Sequence, residues 1–181
     1  MNSTGLAAPT RWAVLGFALF ALLTVLAAVP RTAAATPQFL SAYDVSDPGR
    51  DAFEPQVSED PSGNSLMVWT RHDGTNYRIQ ARFRAADGTL DATQTISDPG
   101  GDASEPQVAF DPSGNALAVW SQFVAPNTRI EAAFRPAGGS FGAPLLVSAA
   151  GQNASRPHVG MDSSGKAVVV WERSDGTNLR V

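Results

Sequence analysis

A single repeat constrains this chain more than any other feature. The stretch Asp111-Pro112-Ser113-Gly114-Asn115-Ala116-Leu117-Ala118-Val119-Trp120 has an earlier copy from Asp60 to Trp69 and a later one from Asp162 to Trp171. Trp69, Trp120 and Trp171 stand 51 residues apart both times, and residues 45–95 match residues 96–146 at 27 of 51 positions without a gap. Self-similarity at a fixed period of this length marks a repeat architecture, in which neighbouring units bury each other's apolar faces. The third copy starts at Val147 and keeps its register to Val181, the position of Ile79 and Ile130 in the earlier copies.

Each full repeat offers four strands. Strand a spans Glu54–Glu59, matched by Glu105–Phe110 and Arg156–Met161. Strand b spans Ser65–Arg71, matched by Ala116–Gln122 and Ala167–Arg173. Strand c spans Tyr77–Arg84, matched by Thr128–Arg135. Strand d spans Leu90–Ile96, matched by Phe141–Val147. Strand c alternates, with Ile79, Ala81 and Phe83 on one face and Arg78, Gln80, Arg82 and Arg84 on the other, as in a half-buried antiparallel strand. Strand b is nearly all apolar, which suits a strand covered on both faces. Between a and b, the Asp-Pro-Ser-Gly-Asn turn sets φ with its proline and supplies a left-handed residue with Gly63, Gly114 or Gly165. Asp60, Asp111 and Asp162 are placed to accept hydrogen bonds from their own turn amides.

Four antiparallel strands in about 50 residues, repeated without gaps, fit the blade of a β-propeller. The fold expected is all-β, an incomplete ring of about 2.5–3 four-stranded blades, where a closed propeller takes roughly 4–8. Residues 47–97 form the first blade, 98–148 the second and 149–181 an incomplete third. Residues 36–46 match the end of a repeat that has no beginning, and read as an orphan outer strand for a closing blade. Closure then falls to the remaining blades of a longer chain or to self-association.

Residues 1–35 read as a signal peptide, with Arg11 before the apolar run Trp12–Val29 and Ala33-Ala34-Ala35 ahead of a mature start at Thr36. The alternative is a retained membrane anchor, because the run approaches bilayer-spanning length. Either way the rest of the chain is expected outside the cytoplasm, secreted or in the cell envelope, touching a membrane only through this segment. The chain has no cysteine, so neither disulfides nor thiolate sites are available. With only His72 and His158, a histidine-rich metal cluster is excluded. A formal net charge of −4 and 17% charged residues argue against nucleic acid, which asks for a basic stripe.

The motif Pro-Gln-Val-x-x-Asp-x-x-Gly-Asn-x-x-x-Val-Trp, carried here by Pro55–Trp69 and Pro106–Trp120, resembles the blades of secreted repeat proteins of actinobacteria and related bacteria. The Asp111-Pro112-Ser113-Gly114 hairpin is also similar to that of TolB-type propellers. A more distant likeness is to sialidase-type propellers, although their Asp-box is not matched. The resemblance implies a propeller and little about activity, since most members of the nearest group have no assigned one.

Candidate sites follow from where the copies agree and differ. Trp69, Trp120 and Trp171 recur as blade-packing core. Asp60, Asp111 and Asp162, with Gly63, Gly114 and Gly165, recur as a turn device. Such a turn offers too few oxygens for calcium, so no metal is expected there. The d–a and b–c loops share one rim, and there the copies diverge: Arg50 becomes Gly101 and Gln152, Phe53 becomes Ser104 and Ser155, and Arg71-His72-Asp73 becomes Gln122-Phe123-Val124 and Arg173-Ser174-Asp175. That rim is a candidate ligand surface, and equally a solvated loop free to vary. Glu54, Glu105 and Arg156 open the innermost strands, where a carboxylate pair suits acid–base work or simply lines a solvated channel. His72 has no serine or cysteine partner at a known spacing, so no catalytic residue is assigned and no cofactor is called for. The expected function is an exported binding or scaffold module for a protein or glycan partner. The alternative is part of a propeller glycoside hydrolase of the sialidase kind, whose catalytic residues lie past residue 181.

Overall fold

The computed structural model describes residue 39 and residues 41–181. The expected signal peptide and its cleavage at Thr36 lie outside the described residues. The chain divides at Ser41/Ala42, and the repeats all fall in the unit Ala42–Val181. Among the described residues there is no helix, so none is long and apolar enough to cross a membrane.

The unit is three antiparallel sheets in chain order. The first sheet contains β1 (Ala52–Glu59), β2 (Ser65–His72), β3 (Tyr77–Arg84) and β4 (Gln94–Thr95), in the order β1-β2-β3-β4. The second repeats this with β5 (Ala103–Phe110), β6 (Ala116–Val124), β7 (Asn127–Arg135) and β8 (Leu145–Leu146). The third has β9 (Ala154–Met161), β10 (Ala167–Ser174) and β11 (Leu179–Arg180). Strands b and c stand where the sequence puts them. Strand d is shorter, two residues instead of seven, and residues 41–46, read as an outer strand, are irregular. Arg82 Nη1 nevertheless holds the Val45 carbonyl at 2.9 Å.

Strand a begins two residues earlier than the apolar pattern implies, because each copy carries a bulge. Pairing of β1 with β2 shifts between Phe53 and Gln56, and the same break occurs between Ser104 and Gln107 and opposite Val170–Glu172. The break falls on a Pro, which has no N–H to give the ladder. The preceding residue takes a left-handed backbone: φ is 53° at Glu54, 56° at Glu105 and 51° at Arg156.

The a–b turn takes the form its sequence dictates. Asp60 Oδ1 accepts the amides of Ser62 (2.9 Å) and Asn64 (3.0 Å), while Asn64 Nδ2 donates to Asp60 Oδ2 at 2.8 Å. Gly63, Gly114 and Gly165 sit at φ 84°, 84° and 80°, a region costly for side chains with a Cβ. The Asn64 side-chain Oδ1 accepts the Ala86 amide (3.0 Å), and Asn115 Oδ1 does the same for Ala137 (3.0 Å), tying the a–b turn to the c–d turn. Lys166 replaces that asparagine in the third copy.

The core lies between the sheets. Leu66, Val68, Ile79 and Ala81 of the first meet Ala116, Ala118, Trp120 and Ala133 of the second. The small alanines make room for the Trp120 indole, which is fully buried. Trp69 is buried as well, while Trp171 is half-buried.

Candidate functional site

The three residues proposed for a channel site have a structural task. Glu54 Oε2 accepts the Thr70 hydroxyl (2.9 Å) of its own sheet and the Glu105 amide (2.8 Å) of the next. Glu105 repeats the pattern, accepting from Ser121 Oγ and from the Arg156 amide, both at 2.7 Å. The left-handed bulge turns each carboxylate toward the following sheet. Arg156 breaks the series: it is a cation at the same position and pairs instead with Glu172 at 3.1 Å. Glu54, Glu105 and Arg156 line one groove with His158, but the two carboxylates each carry a clamp and are not a free acid–base pair.

A second clamp runs along the rim. Asp102 Oδ1 accepts the Tyr77 amide (2.8 Å), and Asn153 Oδ1 accepts the Thr128 amide (3.0 Å). Asp51 holds the equivalent position in the first sheet.

The other rim candidates separate into two groups. Arg71 Nη2 donates to the carbonyls of Asp47 and Pro48, both at 2.9 Å, and so fixes the loop ahead of β1. Asp73 accepts the amides of Thr75 (2.8 Å) and Asn76 (2.9 Å) and pairs with Arg78 at 3.1 Å. The Asn76 and Thr75 amides, then Arg78, hold its carboxyl at about 2. Both residues are loop fasteners.

Arg50 and His72 instead meet in one cleft of about 390 Å³, lined also by Asp51, Phe53 and Tyr77. The Tyr77 ring stands edge-on to His72 at 5.1 Å and to Phe53 at 6.1 Å. His72 Nδ1 accepts the Gly74 amide at 3.2 Å, which places the ring proton on Nε2. The Arg50 guanidinium packs over Gly74, where any Cβ would stand 2.7 Å from Nη1. Phe53 and Tyr77 are both partly exposed. Sequence reasoning placed Arg50, Phe53 and His72 on the rim but did not bring Tyr77 into it. A signal existed: its position is Thr128 in the second copy and Leu179 in the third. Aromatic residues enter this rim position only in the first blade.

Among the described residues no group of three or more His, Asp or Glu side chains is placed to hold a metal ion.

No protein-family model and no curated protein matches this sequence. Solved structures do match it. An endo-arabinase from Bacteroides thetaiotaomicron superposes with a TM-score of 0.52 at 15% identity, over 77% of this chain and 57% of its own. A thermostable family-43 glycoside hydrolase gives 0.48 at 12% identity, over 72% of this chain and 51% of its own. This chain thus spans little more than half the length of the structures it matches. The repeated four-stranded antiparallel sheets and this likeness make the fold a β-propeller, of which the described residues form an incomplete ring.

Proposed function

We propose that this chain is part of an exported, carbohydrate-directed β-propeller of the glycoside-hydrolase kind, with a saccharide-holding cleft on the rim of its first blade. The observation that carries the reading is the cleft itself. Phe53 and Tyr77 present apolar ring surface for the C–H face of a sugar, while Arg50 and His72 Nε2 donate and Asp51 accepts at its hydroxyls. A concave site with aromatic walls and a few convergent polar groups is what a small, polyhydroxylated ligand needs. The propeller likeness to an endo-arabinase agrees with this reading at the level of the scaffold. Glu54 and Glu105 are both held in clamps, so in this reading the described cleft contributes substrate binding and bond cleavage is left to carboxylates other than this pair.

Affinity electrophoresis of the exported protein in gels containing arabinan, with reducing-end release measured in parallel, tests the reading. Retardation by the polysaccharide is expected, with Tyr77→Ala weakening it about tenfold, the scale of one lost stacking contact. Release of reducing ends supports hydrolysis. Retardation without release leaves a binding module for glycans. The absence of retardation by arabinan and by other neutral polysaccharides overturns the proposal.

A further inference from the structure

Arg135 stands apart from the other described arginines. It is only 4% exposed, yet among the described residues its guanidinium has no ion-pair partner and no side-chain or carbonyl acceptor. Its Cζ lies 4.2 Å from the centre of the Phe83 ring in the preceding blade. Cation–π contact explains its position, but leaves a fork of N–H donors unmatched. Its N–H donors are not sealed from solvent, so they stand open to acceptors that a ligand brings.

The guanidinium lines a cavity of about 380 Å³ between the first and second blades. The walls are Leu66, Phe83 and Phe141 on the apolar side, and Asp91, Thr93 and Ser140 on the polar side. The frame is held from both blades. Arg82 Nε donates to the Asp91 carbonyl at 2.8 Å. Gln94 exchanges two hydrogen bonds with the Phe141 backbone, at 2.9 and 3.0 Å. The charged groups lining the cavity are Arg82, Arg135 and Asp91. Arg82 is already engaged with the carbonyls of Asp91 and Val45, so an incoming phosphate or sulfate would meet one free guanidinium and the Asp91 carboxylate. A neutral ligand whose adjacent hydroxyls accept from a guanidinium and donate to a carboxylate, and whose C–H face meets Phe141 and Leu66, matches every wall.

We infer that this interblade cavity is a second saccharide site, in which Arg135 donates to one hydroxyl and Asp91 accepts from its neighbour on a neutral sugar unit. The inference rests on the proposed carbohydrate reading for its ligand class. In position it is separate, because the cavity opens beside the c–d turns, at the rim opposite Tyr77. A chain held at both rims would be gripped at two points, raising its effective affinity without new contacts at either.

Amide and arginine side-chain NMR signals of the 15N-labelled protein, titrated with arabinohexaose and separately with inorganic phosphate, test this. Saturable shifts are expected for the Arg135 side chain and for the amides of Asp91, Thr93 and Ser140 with the hexasaccharide and not with phosphate. Asp91→Asn, at an exposed position, should weaken that response about tenfold or more at unchanged melting temperature. Tyr77→Ala should leave it intact. Arg135→Lys keeps the charge but loses the planar fork, and should weaken it as well. Shifts confined to the Tyr77 cleft would overturn the second site while leaving the carbohydrate reading standing. Silence at both places would overturn both. Shifts with phosphate alone would mean that the cavity takes anions, and would also overturn the inference.

Discussion

Aspartates do much of the local work in this protein. Asp60, Asp111 and Asp162 each close an a–b turn, and Asp73 and Asp175 each close a b–c loop by accepting two backbone amides. The Asn115 side chain, then its amide, holds Asp111 below the usual carboxylate range despite its burial. For Asp162 the Ser164 hydroxyl is the main cause. Asp73 is lowered furthest, to about 2. A carboxylate whose folded pKa lies below its unfolded value near ~3.9 stabilises the fold above that value and loses the contribution as pH falls through the folded pKa. The melting temperature should therefore be flat from neutral pH down to about 4 and fall between about 4 and 2. Asp73→Ala should shrink that fall. A profile that already drops between pH 7 and 5 would contradict these turn assignments.

At the scale of elements, the clamp between blades is the distinctive device. A left-handed, non-glycine residue is strained by about 1–3 kcal/mol, so three such residues at one repeat position need a shared reason. The two carboxylates supply it by bonding the next blade's amide. Glu105→Ala removes two charge-assisted hydrogen bonds, to Ser121 and Arg156, and should destabilise the protein by about 1.5–3 kcal/mol in urea denaturation. A change within about 0.5 kcal/mol would mean the clamp is ornamental. The bulge was not legible in the sequence, although Glu54-Pro55 and Glu105-Pro106 carried its signature. Proline excludes a ladder bond, but nothing local states which way the preceding side chain turns. That direction is decided by the neighbouring blade.

At the scale of the whole molecule, blades are faces waiting for partners. Val168 and Val170 occupy the positions of Leu66 and Val68, which the second blade buries. In the third blade they are 68% and 43% exposed. At the other end, Val57 is also exposed beside Met67 and Trp69. Each face corresponds to one that the interior blades bury, so a head-to-tail association of the two is expected. Residues 42–181 produced alone should associate with rising concentration in sedimentation velocity, and Val168→Asp with Val170→Asp should return them to monomer. A monomer at all concentrations would show that these faces are not adhesive.

Strand order, blade period and turn chemistry followed from the sequence, because each rests on spacing along the chain: period two in strands, 51 between copies, and residue types that only certain φ values accept. Glycine at Gly63 and aspartate at Asp60 act on atoms within four residues, and local rules reach that far. The functional surfaces did not follow in the same way. Arg71 and Asp73 looked like ligand groups and are loop fasteners. Glu54 and Glu105 looked like a channel pair and are clamps. Tyr77 was given no part in the rim site, yet its ring stands edge-on to both Phe53 and His72. Arg135 gains its meaning only when Phe83, 52 residues earlier, stacks beneath it. A repeat determines its own unit, but what faces what between units depends on how neighbouring blades turn and stack, and that geometry exists only once the chain has folded.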